Sequence, residues 1–433
     1  MKKMISLILV IVMCGSLLTG CGDGKGSYTQ VKGDVLQLPA ESTIENAELN
    51  KMYSEFSMHI LKTVHDDNSQ KNILISPASI LFALNMAALG AEGDTYTEMT
   101  DLYAKGATKY DIAEFSKNMR DILESSGIVN VANSLWINKD VPFRADEAYL
   151  NLLRQYFSAA ATQESFSNHK GELLNNINGW IKEKTNGMID NALNAIDIEA
   201  FMYIINALVF DGKWKEEYED YQITYEKMFK SVSGKNQPMK SMNSTENMYL
   251  EYGGAKGFKK NYEGERMSFV AILPEDENIT IQEFLNNCQD DFWTQFYDSR
   301  KAETVIALLP SFSFDFTVEL SETLKKMGMV LSFSLDADFS GMALSKNNKN
   351  DMIPDDSKSL AISQIIHKTH IELDEKGTKA AAATVFVVTA ACDSVDSAPP
   401  EPKEVILDRP FAFAIVDNNT GLPVFMGIIN TME

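Results

Sequence analysis

The chain has 433 residues, of which 61 are acidic and 39 basic, and its formal net charge at pH 7 is −22. Hydrophobic residues make up 45% and charged residues 23% of the sequence, a composition typical of globular proteins and unlike that of disordered, collagen-like or coiled-coil chains. Because a strongly acidic chain repels phosphate backbones, the charge argues against nucleic acid as a partner.

The first twenty residues have the pattern of a secretory signal peptide. Lys2 and Lys3 precede an apolar run that ends in Leu18-Thr-Gly-Cys21 and is too short for a membrane-spanning helix. This ending resembles a bacterial lipobox, in which cleavage precedes the cysteine and the thiol is acylated. We therefore expect residues 1–20 to be a lipoprotein signal peptide and Cys21 to anchor an extracellular protein to the bacterial cell membrane. The alternative is a plain signal peptide with an accidental cysteine.

Residues 21–47 are rich in glycine and polar side chains and show no sustained apolar period. Such a composition is typical of a flexible tether between an anchor and a folded domain. Cys14 would leave with the signal peptide, so Cys288 and Cys392 are the cysteines left to the folded part. They lack metal-binding spacing and cannot form a disulfide framework, and we interpret both as free thiols.

From residue 48 onward, predicted helices and strands follow one another with no repeat and no dividing linker. Apolar residues at spacings of three and four predict an amphipathic helix from Leu49 to Ile60. Further helices are predicted over 79–89 and 177–188, and strands over 72–76, 203–210, 266–273, 304–309 and, as a hairpin, 411–429. Residues 48–433 are therefore expected to form one large domain of mixed α and β structure.

Motifs for catalysis or metal binding are missing from the sequence. The chain has five histidines, and His367 and His370 would point to opposite faces of a strand, so they could not chelate one ion. There is no G-x-S-x-G, H-E-x-x-H or Walker motif. We expect no metal, no cofactor and no enzymatic activity; a surface-bound hydrolase with a dispersed active site is the alternative.

Residues 372–392, ELDEKGTKAAAATVFVVTAAC, stand out because their local preferences conflict. Four consecutive alanines favour a helix, whereas the following Thr384–Thr389 run favours a strand. Read with a period of two, small residues including Thr378, Ala380 and Ala382 share one face, and no charge follows Lys379 until Asp393. Such a strand could enter a gap in a sheet; the alternative is an ordinary buried strand followed by a loop.

Several separate stretches, in order, resemble the serpin family over residues 48–433. They are Asn72–Ile80 with Ala88–Ala91, Ile177–Trp180 with Lys184–Gly187, Asn206–Trp214, Leu309–Phe312, Leu324–Gly328, Asp338–Gly341, Ile366–Lys368, Asp374–Thr378 with the alanine run, Arg409–Phe411 and Phe425–Gly427. Each stretch is weak evidence alone, but their combined order and spacing are specific.

The resemblance implies an α+β serpin fold with mixed β-sheets, surrounding helices and an exposed reactive loop at about 375–400. It also implies a suicide substrate: a serine protease attacks the loop, and the cut loop inserts as a strand in the main sheet and traps the acyl-enzyme. The positions that match the family's hinge are Glu375, Gly377, Thr378, Ala380, Ala381, Ala382 and Ala383. Those that match the region where the sheet opens are Ser76, Ser79, Asn206, Trp214 and His367.

Counting seventeen residues from Glu375, as in the family, places the reactive bond between Ala391 and Cys392. An alanine before the bond suits elastase-like proteases with a small specificity pocket. The stretch from Cys392 to Pro410 is longer than in many family members, so a bond one to a few residues away is the alternative. We expect a monomer that forms a covalent complex with its target protease and contacts the membrane only through its lipid. A non-inhibitory, serpin-like binding lipoprotein is the alternative function.

Overall fold

The computed structural model describes residues 5–15, 38, 44–346, 352–354, 360–378 and 401–432. The helices in this part of the chain are α1 (Asn46–Asp66), α2 (Pro77–Ala88), α3 (Gly93–Asp101), α4 (Lys109–Ser125), α5 (Glu147–Phe157), α6 (Lys170–Lys184), α7 (Ile281–Asn287), α8 (Phe292–Asp298) and α9 (Ser321–Lys326). Short 3₁₀ turns lie at Asp220–Gln222 and Leu331–Phe333.

The strands are β1 (Ile5–Gly15), β2 (Ile73–Ile75), β3 (Val129–Asn138), β4 (Arg144–Ala145), β5 (Ala160–Glu164), β6 (Ala200–Phe210), β7 (Gly212–Lys213), β8 (Ile223–Thr224), β9 (Met228–Lys230), β10 (Asn236–Pro238), β11 (Ser241–Glu246), β12 (Tyr249–Tyr252), β13 (Ala255–Asn261), β14 (Met267–Pro274), β15 (Val305–Pro310), β16 (Phe312–Glu319), β17 (Ala343–Lys346), β18 (Met352–Pro354), β19 (Leu360–Leu373), β20 (Gly377–Thr378), β21 (Lys403–Ile406), β22 (Phe411–Asp417) and β23 (Pro423–Ile429). The mixture of helices and several sheets confirms the predicted α+β class.

The main sheet has the strand order β16-β19-β1-β6-β3-β5. Strands β19, β1 and β6 run parallel to one another, whereas β16 and β3 are antiparallel to β19 and β6 respectively. Every residue of β6 is buried. This confirms the central strand predicted for 203–210, because a continuous apolar run is typical of a strand that is covered on both faces.

Two buried apolar clusters cover the two faces of β6. On one face, Ile204 and Leu208 belong to the large core that includes α2, all of whose residues are buried. On the other face, Tyr203 and Ile205 belong to a second cluster together with Ile177 of α6. Helix α6 thus lies across the main sheet, as the resemblance implied.

All three predicted helices differ from the observed ones at their ends. Helix α1 extends beyond the predicted 49–60 in both directions, and α6 begins at Lys170, seven residues earlier than predicted. Helix α2 begins at Pro77, two residues earlier than predicted, because proline suits the first helical position and Ser76 caps the helix by accepting a hydrogen bond from the Ser79 backbone N–H. Helix α6 ends at Lys184, four residues earlier than predicted. Asn186 and Gly187 follow with positive φ angles of 51° and 86°, which end the helix.

The remaining sheets pack around α1, α2 and the C-terminus. A six-stranded sheet has the order β12-β13-β14-β22-β23-β2 and contains the predicted C-terminal hairpin as β22 and β23. A four-stranded sheet has the order β21-β15-β11-β8, and β17 pairs with both β18 and β4. Cys288 is a buried free thiol, as predicted, and its burial raises the pKa of the thiol to about 12.

The N-terminal part of the chain contributes more to the fold than its composition suggested. Residues 5–15, within the predicted signal peptide, form β1 in the middle of the main sheet. In the predicted tether, Leu38 and Ile44 pack against the main core, and α1 already begins at Asn46. The other residues of 16–43 lie outside the described residues, and the signal peptide and the lipid on Cys21 stay predictions.

Candidate functional site at the end of the main sheet

The chain reverses direction immediately after β19. Asp374 and Gly377 form a tight turn in which the Asp374 backbone N–H donates to the Gly377 carbonyl (3.0 Å) and the Asp374 carboxylate accepts from the Lys376 N–H (2.9 Å). Gly377 and Thr378 then pair antiparallel with Gly212 and Lys213 of β7, just beyond the end of β6. We call Asp374–Thr378 the hinge turn. Any continuation of the chain in this direction would run antiparallel to both β6 and β19.

Gly377 makes the hinge turn possible. Its φ angle is 143°, a backbone conformation that other residues rarely adopt. A Cβ atom at this position would also lie 2.3 Å from the Gly212 carbonyl oxygen, far inside van der Waals contact. The glycine is therefore required for the close approach of the hinge turn to β7.

Trp214 holds the hinge turn at two points. Its backbone N–H donates to the Lys376 carbonyl (3.0 Å) and its indole Nε1–H donates to the Asp374 carbonyl (2.9 Å). The indole stacks on the Tyr262 ring with centroids 4.6 Å apart, and the Tyr262 hydroxyl lies 2.8 Å from Thr378 Oγ1. The side chains of Trp214, Tyr262 and Thr378 thus form one buried contact surface at the entrance to the main sheet.

A buried lysine lies beneath this aromatic surface. The Lys260 ammonium is 3.0 Å from a Glu246 carboxylate oxygen, and both side chains are largely buried. It also lies 4.4 Å from the centre of the Tyr218 ring and 5.5 Å from that of Trp214, within the range of cation–π attraction. Removing one partner would leave the other charge buried and unpaired, so the two side chains stay together beside the surrounding rings.

A second ion pair joins the hinge turn to Lys240, the residue that precedes β11. Lys240 forms a salt bridge with Glu375, whose carbonyl accepts a hydrogen bond from the Tyr218 N–H (2.9 Å). Partial burial disfavours both charges, but the hydrogen bond and opposite charge outweigh it. The pKa of Glu375 is therefore lowered from 4.5 and that of Lys240 raised from 10.5.

Four of the predicted sheet-opening residues meet behind the middle of the main sheet. The Ser76 backbone N–H donates to His367 Nε2 (3.1 Å), and the Ser79 hydroxyl donates to the Asn206 amide oxygen. The Asn206 amide N–H continues the network to Asn133 Oδ1 (2.7 Å). All of these side chains are buried, and the network joins α2 to β3, β6 and β19.

The histidine pair behaves as strand alternation predicted. His367 is buried behind the sheet, whereas His370 lies on the other face, where its Nδ1 is 2.8 Å from an Asp315 carboxylate oxygen. The two imidazoles therefore cannot share an ion.

The structure brings Glu375, Gly377 and Thr378 together with Trp214. The other predicted hinge, reactive-bond and lipidation residues lie outside the described residues; they are Ala380, Ala381, Ala382, Ala383, Ala391, Cys392 and Cys21.

Tyr262, Lys260 and Lys240 were not predicted from the sequence to belong to this site. All three lie in the stretch 211–265 between two predicted strands, and no local pattern separates them from solvent-exposed neighbours. The one available signal was that Lys260 occupies a position where the alternation of β13 places buried side chains.

The fold and this site define a serpin. The family model described as "Serpin (serine protease inhibitor)" matches residues 51–432, and the chain belongs to this family. The chain is 28% identical over 99% of its length to an uncharacterized serpin-like protein of Methanosarcina mazei, covering 98% of that protein. It is 27% identical to human neuroserpin over 86% of its length, covering 89% of that protein.

Among solved structures, the native state of the thermophilic serpin tengpin superposes with a TM-score of 0.78 and 36% identity. The superposition covers 91% of this chain and 96% of tengpin. The serpin fold expected from the motifs is thus confirmed. Serpins are in general protease inhibitors, although some do not inhibit.

The buried network predicts a specific loss of stability. Asn206→Ala removes the partners of both Ser79 and Asn133 and leaves buried polar groups without hydrogen bonds, so we expect it to lower the free energy of unfolding by about 1–3 kcal/mol. Asn118→Ala, at an exposed position of α4, is the matched control and should change it by less than about 0.5 kcal/mol. Urea denaturation checks both variants; equal midpoints would contradict the role of the network.

The Lys240–Glu375 pair predicts an acid-sensitive hinge turn. Since the folded pKa of Glu375 lies below 4.5, the pair is fully formed at neutral pH and is lost as the pH falls through this lowered pKa. Hydrogen exchange corrected for intrinsic rates should show Lys376–Thr378 losing protection in this acid range. Glu375→Gln should show the same loss already at pH 7, whereas Glu216→Gln, at an exposed position, should behave like the natural chain. Full protection in Glu375→Gln would contradict the prediction.

Proposed function

We propose that this serpin inhibits serine proteases by inserting its cut reactive loop as a new strand between β6 and β19. The observation that carries the proposal is the hinge turn, which already reverses the chain and makes antiparallel pairs with β7 at the end of β6. Between β6 and β19 the main sheet holds one strand, and among the described residues these two strands make no direct pairs with each other.

The chemistry of trapping belongs to the protease. Its serine hydroxyl attacks the carbonyl carbon of the scissile bond and passes its proton to the protease histidine. The bond between Ala391 and Cys392 breaks, the amine of Cys392 leaves with that proton, and Ala391 stays bound to the serine as an ester. The serpin then has to prevent water from hydrolysing this ester.

The cut loop is long enough to fill the position between β6 and β19. Residues 379–391 span about 44 Å when extended, and the 11 residues of β6 span about 37 Å. The loop sequence also suits the position, because after Lys379 it holds small, apolar and hydroxyl side chains up to Ala391. On one side, a strand in this position borders the fully buried strand β6, an environment that tolerates few charges.

Insertion would supply the driving force for trapping. Each backbone hydrogen bond contributes about 1 kcal/mol net, so a strand of about a dozen residues releases on the order of ten kcal/mol. The tethered protease would be carried along the main sheet by its ester bond. A displacement of about 1 Å in a catalytic site can lower the rate by ~100-fold, which is enough to stall deacylation.

The residues before the bond favour an elastase-like target. Ala391 would occupy the specificity pocket of the protease, and a small pocket matches its methyl group. Val387, Val388 and Ala390 precede it and carry no charge. We infer weak action on trypsin-like enzymes, which prefer a basic residue at this position.

We also propose that the protein is a bacterial lipoprotein held at the cell surface by a lipid on Cys21. The support is the sequence pattern of residues 1–20 and the polar stretch that follows. In the described part of the chain, none of the helices has both the length and the apolar character that crossing a membrane requires. We infer a monomeric inhibitor that contacts the membrane through this lipid.

Thr378→Arg tests trapping. Thr378 is 1% exposed and would lead the inserting strand, so an arginine would have to bury its charge for insertion to begin. After incubation with pancreatic or neutrophil elastase, the natural chain should give an SDS-stable complex. Thr378→Arg should be cleaved without a complex, and Thr378→Ser should retain it. Cleavage of the natural chain without trapping would support the non-inhibitory alternative.

Mass spectrometry of the released C-terminal fragment tests the bond. The fragment should begin at Cys392, and a different first residue would move the assignment.

Ala391→Arg should shift inhibition from elastase to trypsin by on the order of 100-fold. The methyl group of alanine suits the small pocket of elastase, whereas the guanidinium of arginine suits the acidic pocket of trypsin. Ala390→Arg is the matched control and should not produce this shift.

A further inference from the structure

The position between β6 and β19, which we call the slot, is occupied by the N-terminal strand β1. Residues Ser6–Gly15 pair with Ala200–Phe210 on one side, and Ile5–Val12 pair with Leu360–Lys368 on the other. Both pairings are parallel. The backbone of β1 therefore satisfies the facing edges of both neighbouring strands along most of the slot.

The sequence of β1 suits this central position. Its eleven residues, ISLILVIVMCG, contain no charge and no proline and are rich in β-branched side chains. Such a composition is typical of a strand that is covered on both faces. Its neighbour β6 contributes alternate side chains to the main core and to the cluster beneath α6.

Occupation by β1 and insertion of the reactive loop exclude each other. The last pair of β1 joins Gly15 to Phe210. The antiparallel pairing of the hinge turn reaches Gly212, two residues beyond Phe210, where Gly212 pairs with Thr378. A strand that continued from Thr378 would need the hydrogen-bonding edge of Ala200–Phe210, which β1 already uses. One strand fits at a time, parallel if it is β1 and antiparallel if it is the loop.

We propose that residues 5–15 of the unprocessed chain occupy the slot and block loop insertion, so that removal of the N-terminal segment converts a relaxed precursor into an inhibitor. The 30 residues from 16 to 45 that separate β1 from α1 can span about 100 Å, so one chain can supply both the segment and the slot. The expected effect on inhibition rests on the proposed function, whereas the occupation of the slot by β1 does not.

The comparison uses three proteins: the full chain with Cys21→Ser, the chain from Gly22 to Glu433, and the full chain with Cys21→Ser, Ile8→Pro and Val10→Pro. Proline cannot donate to the ladder of a central strand, so the third protein keeps the segment but should lose its pairing. The full chain should melt on the order of 10 °C higher than the other two. Its β6 and β19 amides should exchange at least roughly ten-fold more slowly.

The functional readout is the yield of SDS-stable complex with elastase. The shortened chain and the proline variant should form it, and the full chain should form at least roughly ten-fold less. A peptide of residues 2–15 with Cys14→Ser, added to the shortened chain, should raise its Tm and suppress the complex. The same peptide with Ile8→Pro and Val10→Pro should do neither.

Equal melting and equal exchange in all three proteins would overturn the inference. Concentration-dependent oligomers of the full chain, absent from the proline variant, would overturn its intrachain form and show that β1 fills the slot of a second copy. If no protein traps elastase, the proposed function fails, but melting and exchange still decide whether β1 occupies the slot.

Discussion

The structure depends on the hydrogen-bonding edges of β6 and β19, which face each other one strand apart. Buried backbone N–H and C=O groups are costly without partners, so a position of this kind demands either a strand or a rearrangement of the sheet. In this chain the two edges are parallel, and both strands contribute buried apolar side chains to the main core. On the other face, β6 contributes to the cluster beneath α6, whereas β19 carries half-exposed polar side chains such as Lys368. An uncharged segment suits this position, and both its backbone pairing and the burial of its apolar side chains would stabilise it.

Two sets of contacts lie beside this position, one at its entrance and one behind its middle, and they act in different ways. At the entrance, Trp214 and Tyr262 hold the hinge turn through hydrogen bonds and stacking, and the pair between Lys240 and Glu375 adds a charged contact that depends on pH. Behind the middle of the sheet, Asn206 joins β6 to α2 and β3. On the proposed mechanism, the first set would determine where a strand begins to insert, and the second would resist movement of the strands that remain in place.

Two segments of the same chain are suited to the same position, and chain connectivity distinguishes them. The reactive loop follows β19 through a tight turn, so it can only enter antiparallel, whereas β1 reaches the position through a long connection and enters parallel. Antiparallel pairing is slightly the more stable per residue. On the proposed mechanism, β1 competes with the inhibitory movement of the reactive loop, and loss of residues 5–15 would remove this competitor.

The sequence by itself indicated the fold class, the family and some of the elements, among them α1, α2, α6 and β6, because apolar periodicity, turn residues and ordered motifs are local properties of the chain. It also indicated Glu375, Gly377, Thr378 and Trp214 as residues of one site through the family resemblance. The partners of these residues could not be predicted: Tyr262 and Lys260 reach Trp214 only because β13 packs beside β7 in the folded protein. Nor could the sequence alone place residues 5–15, because an uncharged apolar run fits a signal peptide and a central strand equally well. Only the tertiary structure brings the edges of β6 and β19 one strand apart, where β1 pairs with both, because strand pairing joins segments that lie far apart in the sequence.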